Sequence, residues 1–156
     1  MIGPYFFEEG GATVTVNSGR YVEMLETFLR PKLDGVDTED VWFQQDGATA
    51  HRARRSLRVL REMSTGRLIS LRGDRKWPAR SPDLSLCDVF LWGYLKEKVF
   101  KHRPQSLEDL KERIQQEIDS IPPELTRRVM KNFRERLQQC VANVGRHMSD
   151  LIFKTH

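Results

Sequence analysis

The sequence predicts an α/β fold in which short β-type runs alternate with amphipathic helical patterns. Three observations carry that expectation. The run Val41-Trp42-Phe43 leads to an acid, Asp46, and gives way to a helical pattern with Ala50, Ala53, Leu57 and Leu60 at spacings of three and four. A second acid, Asp88, lies where a proline-containing loop enters another helical pattern. From there helical periods run almost to the C-terminus.

Element by element, residues 2–8 are an aromatic run, Gly10-Gly11 supplies a turn, and Thr13-Val14-Thr15-Val16 is β-branched. A hairpin or a bent strand fits. Asn17 or Ser18 can cap a helix with Tyr21, Val22, Leu25, Phe28 and Leu29 on one face, which Pro31 with Gly35 should close. Residues 41–45 read as a buried strand. The helix after Asp46 should end near Gly66, with a basic outer face. Residues 67–71 read as another strand, 73–82 as a loop, and 86–99 as a helix burying Phe90, Leu91, Tyr94 and Leu95. Ser106 with Asp109 is a capping-box pattern for a helix turning Leu107, Leu110, Ile114, Ile118 and Ile121 inward, stopped by Pro122-Pro123. A last helix carries Leu125, Val129, Phe133, Leu137, Val141 and Val144. Residues 147–156 show no clear period.

The chain has 156 residues, which suits one domain able to bury roughly two-thirds of its unfolded surface. Lys and Arg number 26 against 22 Asp and Glu, and most of the surplus lies between Arg52 and Arg80. A local surplus of that kind suits a polyanionic partner. Cys87 and Cys140 are too few for a disulfide framework or a zinc site, so both read as packing residues in a reducing compartment. No apolar stretch approaches the roughly 20 residues needed to span a bilayer, and the N-terminus has no leader pattern. The expectation is a soluble, non-secreted protein with no membrane contact and no small-molecule substrate.

Two carboxylates brought from separate elements are hard oxygen ligands suited to Mg²⁺ or Mn²⁺, and such a site points to phosphoryl transfer on a nucleic acid. In the plainer alternative Asp46 makes a turn and Asp88 caps a helix. Asp83 reads as a cap for the coming helix. His51 could contact the scissile phosphate or a metal-bound water, or could be an ordinary helix-face histidine. Arg52, Arg54, Arg55, Arg58 and Arg61 follow the first acid, and Arg72, Arg75, Lys76 and Arg80 precede the second. Trp77 adds an aromatic surface for a base. The candidate nucleic-acid-binding residues are therefore His51, Arg52, Arg55, Arg58, Arg75, Lys76, Trp77 and Arg80, against the plainer reading of a solvated charged face.

Gln44-Gln45-Asp46-Gly47-Ala48-Thr49-Ala50-His51 and Ser81-Pro82-Asp83-Leu84-Ser85-Leu86-Cys87-Asp88 resemble the corresponding motifs of the mariner-type branch of the DDE/D transposases. The resemblance continues through Ile2-Gly3-Pro4-Tyr5-Phe6-Phe7-Glu8, from Val14 to Leu29, and through Leu91-Trp92-Gly93-Tyr94-Leu95-Lys96. It implies that Asp46 and Asp88 are the second and third catalytic acids and metal ligands. Thr49 and Leu86 stand where that family has proline. The family's first acid lies on a strand upstream of the segment at which Met1 stands here. An N-terminally truncated catalytic domain is expected, without the first acid and the first two strands of the central sheet.

What the resemblance implies is an incomplete ribonuclease H-like fold over residues 1–121 with a helical extension over 122–156. Either a sheet edge is left open or the strand of residues 2–8 pairs in a substitute place. The implied partner is DNA, and a homodimer is a further option. The implied location is the nucleus, otherwise the cytoplasm. Mg²⁺ or Mn²⁺ would be held less firmly for want of the third carboxylate. The implied function is a transposase remnant that binds nucleic acid without reading sequence. Alternatives are an active transposase or endonuclease completed by an upstream segment, and a domesticated DNA-binding or dimerisation module.

Overall fold

The structure, a computed structural model, describes residues 2–77 and 85–142. The expectations for Arg80, Asp83, Val144 and the C-terminal tail lie outside the described residues. By its internal packing the chain divides at Arg80/Ser81 into two compact units.

In the first unit, β1 (Glu8–Glu9) and β2 (Ala12–Thr13) pair antiparallel around Gly10-Gly11, whose φ angles are +58° and +80°. A two-residue hairpin loop with both φ positive needs residues without a Cβ penalty, and the Gly-Gly pair supplies them. The helix α1 (Ser18–Met24) follows, capped by Asn17, whose Oδ1 accepts from the Gly19 and Arg20 amides at 2.9 and 3.0 Å. Arg20 fastens helix to hairpin: Nε and Nη2 donate to the two oxygens of Glu9 at 2.5 and 2.8 Å, and Nη1 donates to the Thr15 carbonyl at 2.7 Å.

Pro31 does not close this helix. The chain passes through a π-helical segment (Leu25–Leu29) into α2 (Arg30–Leu33), and the helix ends there, with Gly35 at φ +78° just after its cap. A proline ring in a helix clashes with the carbonyl four residues back and lacks the amide that would bond to it. The widened turn directly before Pro31 relieves that conflict, because it shifts the hydrogen-bond ladder by one residue.

The sheet is parallel, in the order β3 (Phe43–Gln44), β4 (Leu68–Ser70), β5 (Arg75–Lys76). Phe43 pairs with Leu68, and Ile69 with Arg75. The helix α3 (Arg54–Met63) makes the crossover from β3 to β4. The run 41–45, expected as a buried strand, is shorter and stands at the sheet edge, with Val41 50% and Trp42 44% exposed. An edge strand has a neighbour on one side only, so its flanking apolar residues lose the cover a central strand would have. Residues 2–8 do not pair with β3; they contribute only Glu8 to a strand. β5 replaces part of the expected loop. Its return from β4 is tight enough that a Cβ on Gly73 would lie 2.4 Å from the Leu68 carbonyl oxygen.

The core of this unit joins Tyr21 and Leu25 to Ala50, Leu57, Val59, Leu60 and Leu68, with Phe7, Phe43 and Met63 packed against it. Leu25, Leu60 and Leu68 are fully buried, each worth about 1.5–3 kcal/mol relative to an exposed side chain. The helical faces expected from the apolar spacing are the faces that pack.

The second unit is helical over its described residues: a π-helical segment (Cys87–Leu91), then α4 (Trp92–Val99), α5 (Leu107–Asp119) and α6 (Pro123–Ala142). Leu95, Val99 and Ile118 are buried, while Leu107, expected inward, is exposed in the first turn of α5. The Ser106 Oγ accepts from the Asp109 amide at 3.1 Å, and Asp109 Oδ2 accepts from the Gln105 amide at 2.8 Å. The reciprocal cap forms, but one residue earlier than the usual box. Pro123 opens α6, where a missing amide costs nothing. Among the described residues no helix is long and apolar enough to cross a membrane.

Candidate functional site

Asp46 stands just past the C-terminal end of β3. The Gln45 amide donates to the Ile69 carbonyl at 3.0 Å, so the last bond of the β3–β4 ladder fixes the residue before the acid. Asp46 Oδ1 then accepts from the Ala48 amide at 3.0 Å and lies 2.5 Å from His51 Nδ1. The first contact is the side-chain turn expected of an Asp at a strand exit. In the second an ionised carboxylate can only accept, so Nδ1 is the donor. The Asp46 side chain is 69% exposed.

Behind this pair lies a buried connection. Tyr21, 5% exposed, donates its hydroxyl to Gln45 Oε1 at 2.9 Å. Gln45, 6% exposed, donates through Nε2 to the His51 carbonyl at 3.0 Å. The Tyr21 and His51 ring centroids are 4.4 Å apart. Burial raises the Tyr21 pKa well above that of a free phenol, and the negative charge of Asp46 adds to the rise. The hydroxyl is thereby kept neutral and able to donate. Tyr21 was legible in sequence only as a core residue. Gln45 gave the missing signal: a polar side chain in an apolar run needs a buried partner.

Asp88 lies in the first turn of the π-helical segment Cys87–Leu91 and is exposed. The capping position belongs to Leu86, and no side chain caps there. An acid in a first turn is favoured by the helix dipole without being a cap. Cys87 is exposed rather than packed as expected, and desolvation by its neighbours, then the charge of Asp88, push its thiol above the ordinary range.

Arg54, Arg55, Arg58 and Arg61 line the exposed side of α3, and Arg52 precedes it, also exposed. Arg75 and Lys76 are exposed on β5, and half-buried Trp77 donates its amide to the Ser70 carbonyl at 2.9 Å. The structure thus brings Asp46 to His51 and sets the cations of residues 52–76 within one unit. Asp88 belongs to the other unit.

A hard divalent cation needs anionic oxygens. Asp46 fits in kind: Oδ1 is engaged, and Oδ2 has no partner among the described residues. The fit is partial in number, since among the described residues no three of His, Cys, Asp and Glu gather closely enough to hold a metal ion.

No protein-family model matches the chain, and no curated protein matches it by sequence. Solved structures do. The catalytic domain of Mos1 transposase, solved with raltegravir and Mn, superposes with a TM-score of 0.70 at 24% identity, covering 87% of this chain and 67% of that one. The same domain solved with raltegravir and Mg gives 0.70 at 26% identity, with the same coverage. The likeness shows the fold: the chain has a ribonuclease H-like α/β fold of the kind found in a transposase catalytic domain.

Proposed function

We propose that the chain is a transposase-derived protein of mariner type that retains a nucleic-acid-binding surface and does not by itself carry out DNA cleavage and joining. One observation carries the reading: Asp46 follows a strand of a parallel sheet, in a fold shared with a transposase catalytic domain, with one carboxylate oxygen free for a cation. In this reading residues 1–121 are the catalytic part and 122–156 its helical extension, and the protein works on DNA in the nucleus. The cations of residues 52–76, together with Arg80, neutralise phosphates, and Trp77 stacks on a base.

Asp46 and Asp88 are the residues that would hold Mg²⁺ or Mn²⁺, which when bound activates an attacking hydroxyl and stabilises the leaving oxygen. Two carboxylates would bring a charge of −2 to a pair of ions of total charge +4. Two carboxylates in place of three would leave the barrier about 4 kcal/mol higher, on the order of a thousandfold in rate. His51, held by Asp46, is placed beside any phosphate that reaches the acid.

The test is a nicking and joining assay with Mg²⁺ or Mn²⁺ on intact and pre-nicked duplex, comparing wild type with Asp46→Ala and Asp88→Ala. The expected result is no metal-dependent product above background in any of the three. Cleavage by wild type that both substitutions abolish would replace this reading with that of an active endonuclease. A second reading, an association module, is favoured by β3 standing at the edge of the sheet among the described residues and by the exposed Trp42.

A further inference from the structure

We infer that the groove between α5 and α6 is a docking site for an acidic amphipathic helix of another protein, whose apolar side chains seat against Met130 and whose acids face Arg127, Lys131 and Arg134. The inference is independent of Asp46 and of any chemistry there, since the groove lies in the other unit of the chain.

The joint between the helices makes the groove. α5 ends at Asp119, Ser120 follows as its cap, and α6 begins at Pro123. The Leu125 and Thr126 amides donate to the Pro122 carbonyl at 3.0 and 3.3 Å, which fixes the first turn of α6 directly after the joint. The opening beside it measures about 730 Å³. Its floor is apolar: Ile118, buried near the end of α5, Ile121 in the joint, Pro123 and Met130. The inward stripe of α6, formed by Leu125, Val129, Phe133 and Leu137, is half-buried. Met130 stands one position past that stripe, about 100° round the helix, and is left 40% exposed. A flexible thioether suits a surface that must fit a partner's side chains.

The rim is cationic. Arg127, Lys131 and Arg134 follow one another at spacings of four and three around Met130, so they share a side of α6 and repel one another in the free helix. The chain sets little acid against them. Glu124 reaches Arg127 at 3.5 Å with both side chains largely exposed, and both Asp119 oxygens accept from Gln115 Nε2, at 3.0 and 2.9 Å. Neither Lys131 nor Arg134 has an ion-pair partner among the described residues. An apolar strip bordered by such cations is the complement of a helix with leucines at spacings of three and four and glutamates on its flanks. Phosphates would satisfy the cations but not the floor of Ile121 and Met130. A second copy laid on the same groove by a two-fold axis would bring cations against cations.

The experiment uses the 156-residue chain and two labelled synthetic helices of about five turns, read by fluorescence anisotropy. Both peptides carry Leu at spacings of three and four; one has Glu and Ala at the remaining positions, and the other has Lys in place of every Glu. The proteins are wild type, Met130→Glu, and the double variant Lys131→Glu with Arg134→Glu. Wild type should bind the Glu peptide, and the Lys peptide at least about tenfold more weakly. Met130→Glu should weaken the Glu peptide by about tenfold, by placing a charge on the apolar floor. The double variant should lose about tenfold or more for the Glu peptide and gain affinity for the Lys peptide. All three positions are exposed, so the thermal midpoints should match, and a gain for the Lys peptide is a result that loss of structure could not produce.

Equal affinity of wild type for the two peptides, or a Glu-peptide affinity that neither variant changes, would overturn the docking role. So would a wild type that ignores the Glu peptide but binds duplex DNA more tightly than the double variant does, which would make the groove part of a nucleic-acid surface. A wild-type dimer that Met130→Glu converts to monomer, with no binding of the Glu peptide, would give the groove to a second copy and overturn it as well.

Discussion

Arg61 Nη2 donates to the main-chain carbonyl of Arg72 at 2.9 Å, tying the last turn of α3 to the return between β4 and β5. The two sets of cations therefore belong to one body. If about five phosphates are neutralised, the logarithm of the affinity for duplex DNA should fall with the logarithm of salt at a slope of about −4 to −5. Replacing Arg55 and Arg58 together by Ala should make the slope shallower by about two, with equal loss on unrelated sequences. Fluorescence anisotropy between about 50 and 200 mM salt measures this. A flat salt response in the wild type would remove the patch from the argument.

Gly73→Ala should be costly. Its Cβ would meet the backbone of Leu68 and Ser70, at 2.4 and 2.8 Å, and backbone atoms cannot swing aside. At Gly66 a Cβ meets nothing within 4 Å, and only the positive φ of +73° is strained. Urea unfolding should give about 1 kcal/mol for Gly66→Ala and about 2 kcal/mol or more for Gly73→Ala. Equal costs would mean that the β4–β5 return is looser than it stands.

The core and the surface should separate as clearly. Leu60 is fully buried against Leu57, Leu68 and Tyr21 in the core cluster, whereas Val141 is 78% exposed. Leu60→Ala should destabilise by about 2–5 kcal/mol. Val141→Ala should stay within about 0.5 kcal/mol.

Acid should loosen the start of α5. The Arg113 guanidinium, and then the Gln105 amide, hold the Asp109 carboxyl below its ordinary value of 3.8. A depressed folded-state pKa contributes stability that is present above the unfolded value and is lost as pH falls through the folded one. Far-ultraviolet circular dichroism should therefore show helix lost below about pH 3.8, and Asp109→Asn should remove part of that dependence. Glu9 beside Arg20 has its pKa lowered in the same way, so Glu9→Gln should remove another part.

Self-association should run through the sheet edge. Trp42→Lys places a charge beside β3, the edge strand among the described residues, a device by which natural edge strands resist pairing. Gel filtration over a range of concentrations should show more monomer for Trp42→Lys than for wild type. Identical profiles would place association elsewhere.

The amphipathic faces were legible because spacing alone dictates them: Leu57 and Leu60 pack as their period requires, as does Leu95, although Val99, buried beside it, was not foreseen. The Gly10-Gly11 hairpin was legible because its loop admits few residues. The edge position of β3 was not settled, because Val41-Trp42-Phe43 is as apolar as a central strand and sequence does not say what lies alongside. β5 escaped notice because Arg75-Lys76 is charged and two residues long. At the site, the nearness of His51 to Asp46 followed from five residues of separation. The Tyr21–Gln45 bond spans 24 residues between two different elements, and no local pattern announces it.

Asp88 rides in a five-residue π-helical stretch, Cys87–Leu91, ahead of α4. Such a stretch amounts to one residue more than an α-helix would spend on the same rise. Deleting a single residue there would let the helix close up into a regular spiral, with the composition and the count of apolar side chains almost unchanged. The residues from Trp92 to Val99 would keep their phase, because the widened turn absorbs the change, whereas the same deletion inside α4 would turn everything after it by about 100°. Substitution scanning removes no residue, so the widened turn that carries Asp88 is a property of chain length, visible to insertions and deletions and invisible to point changes.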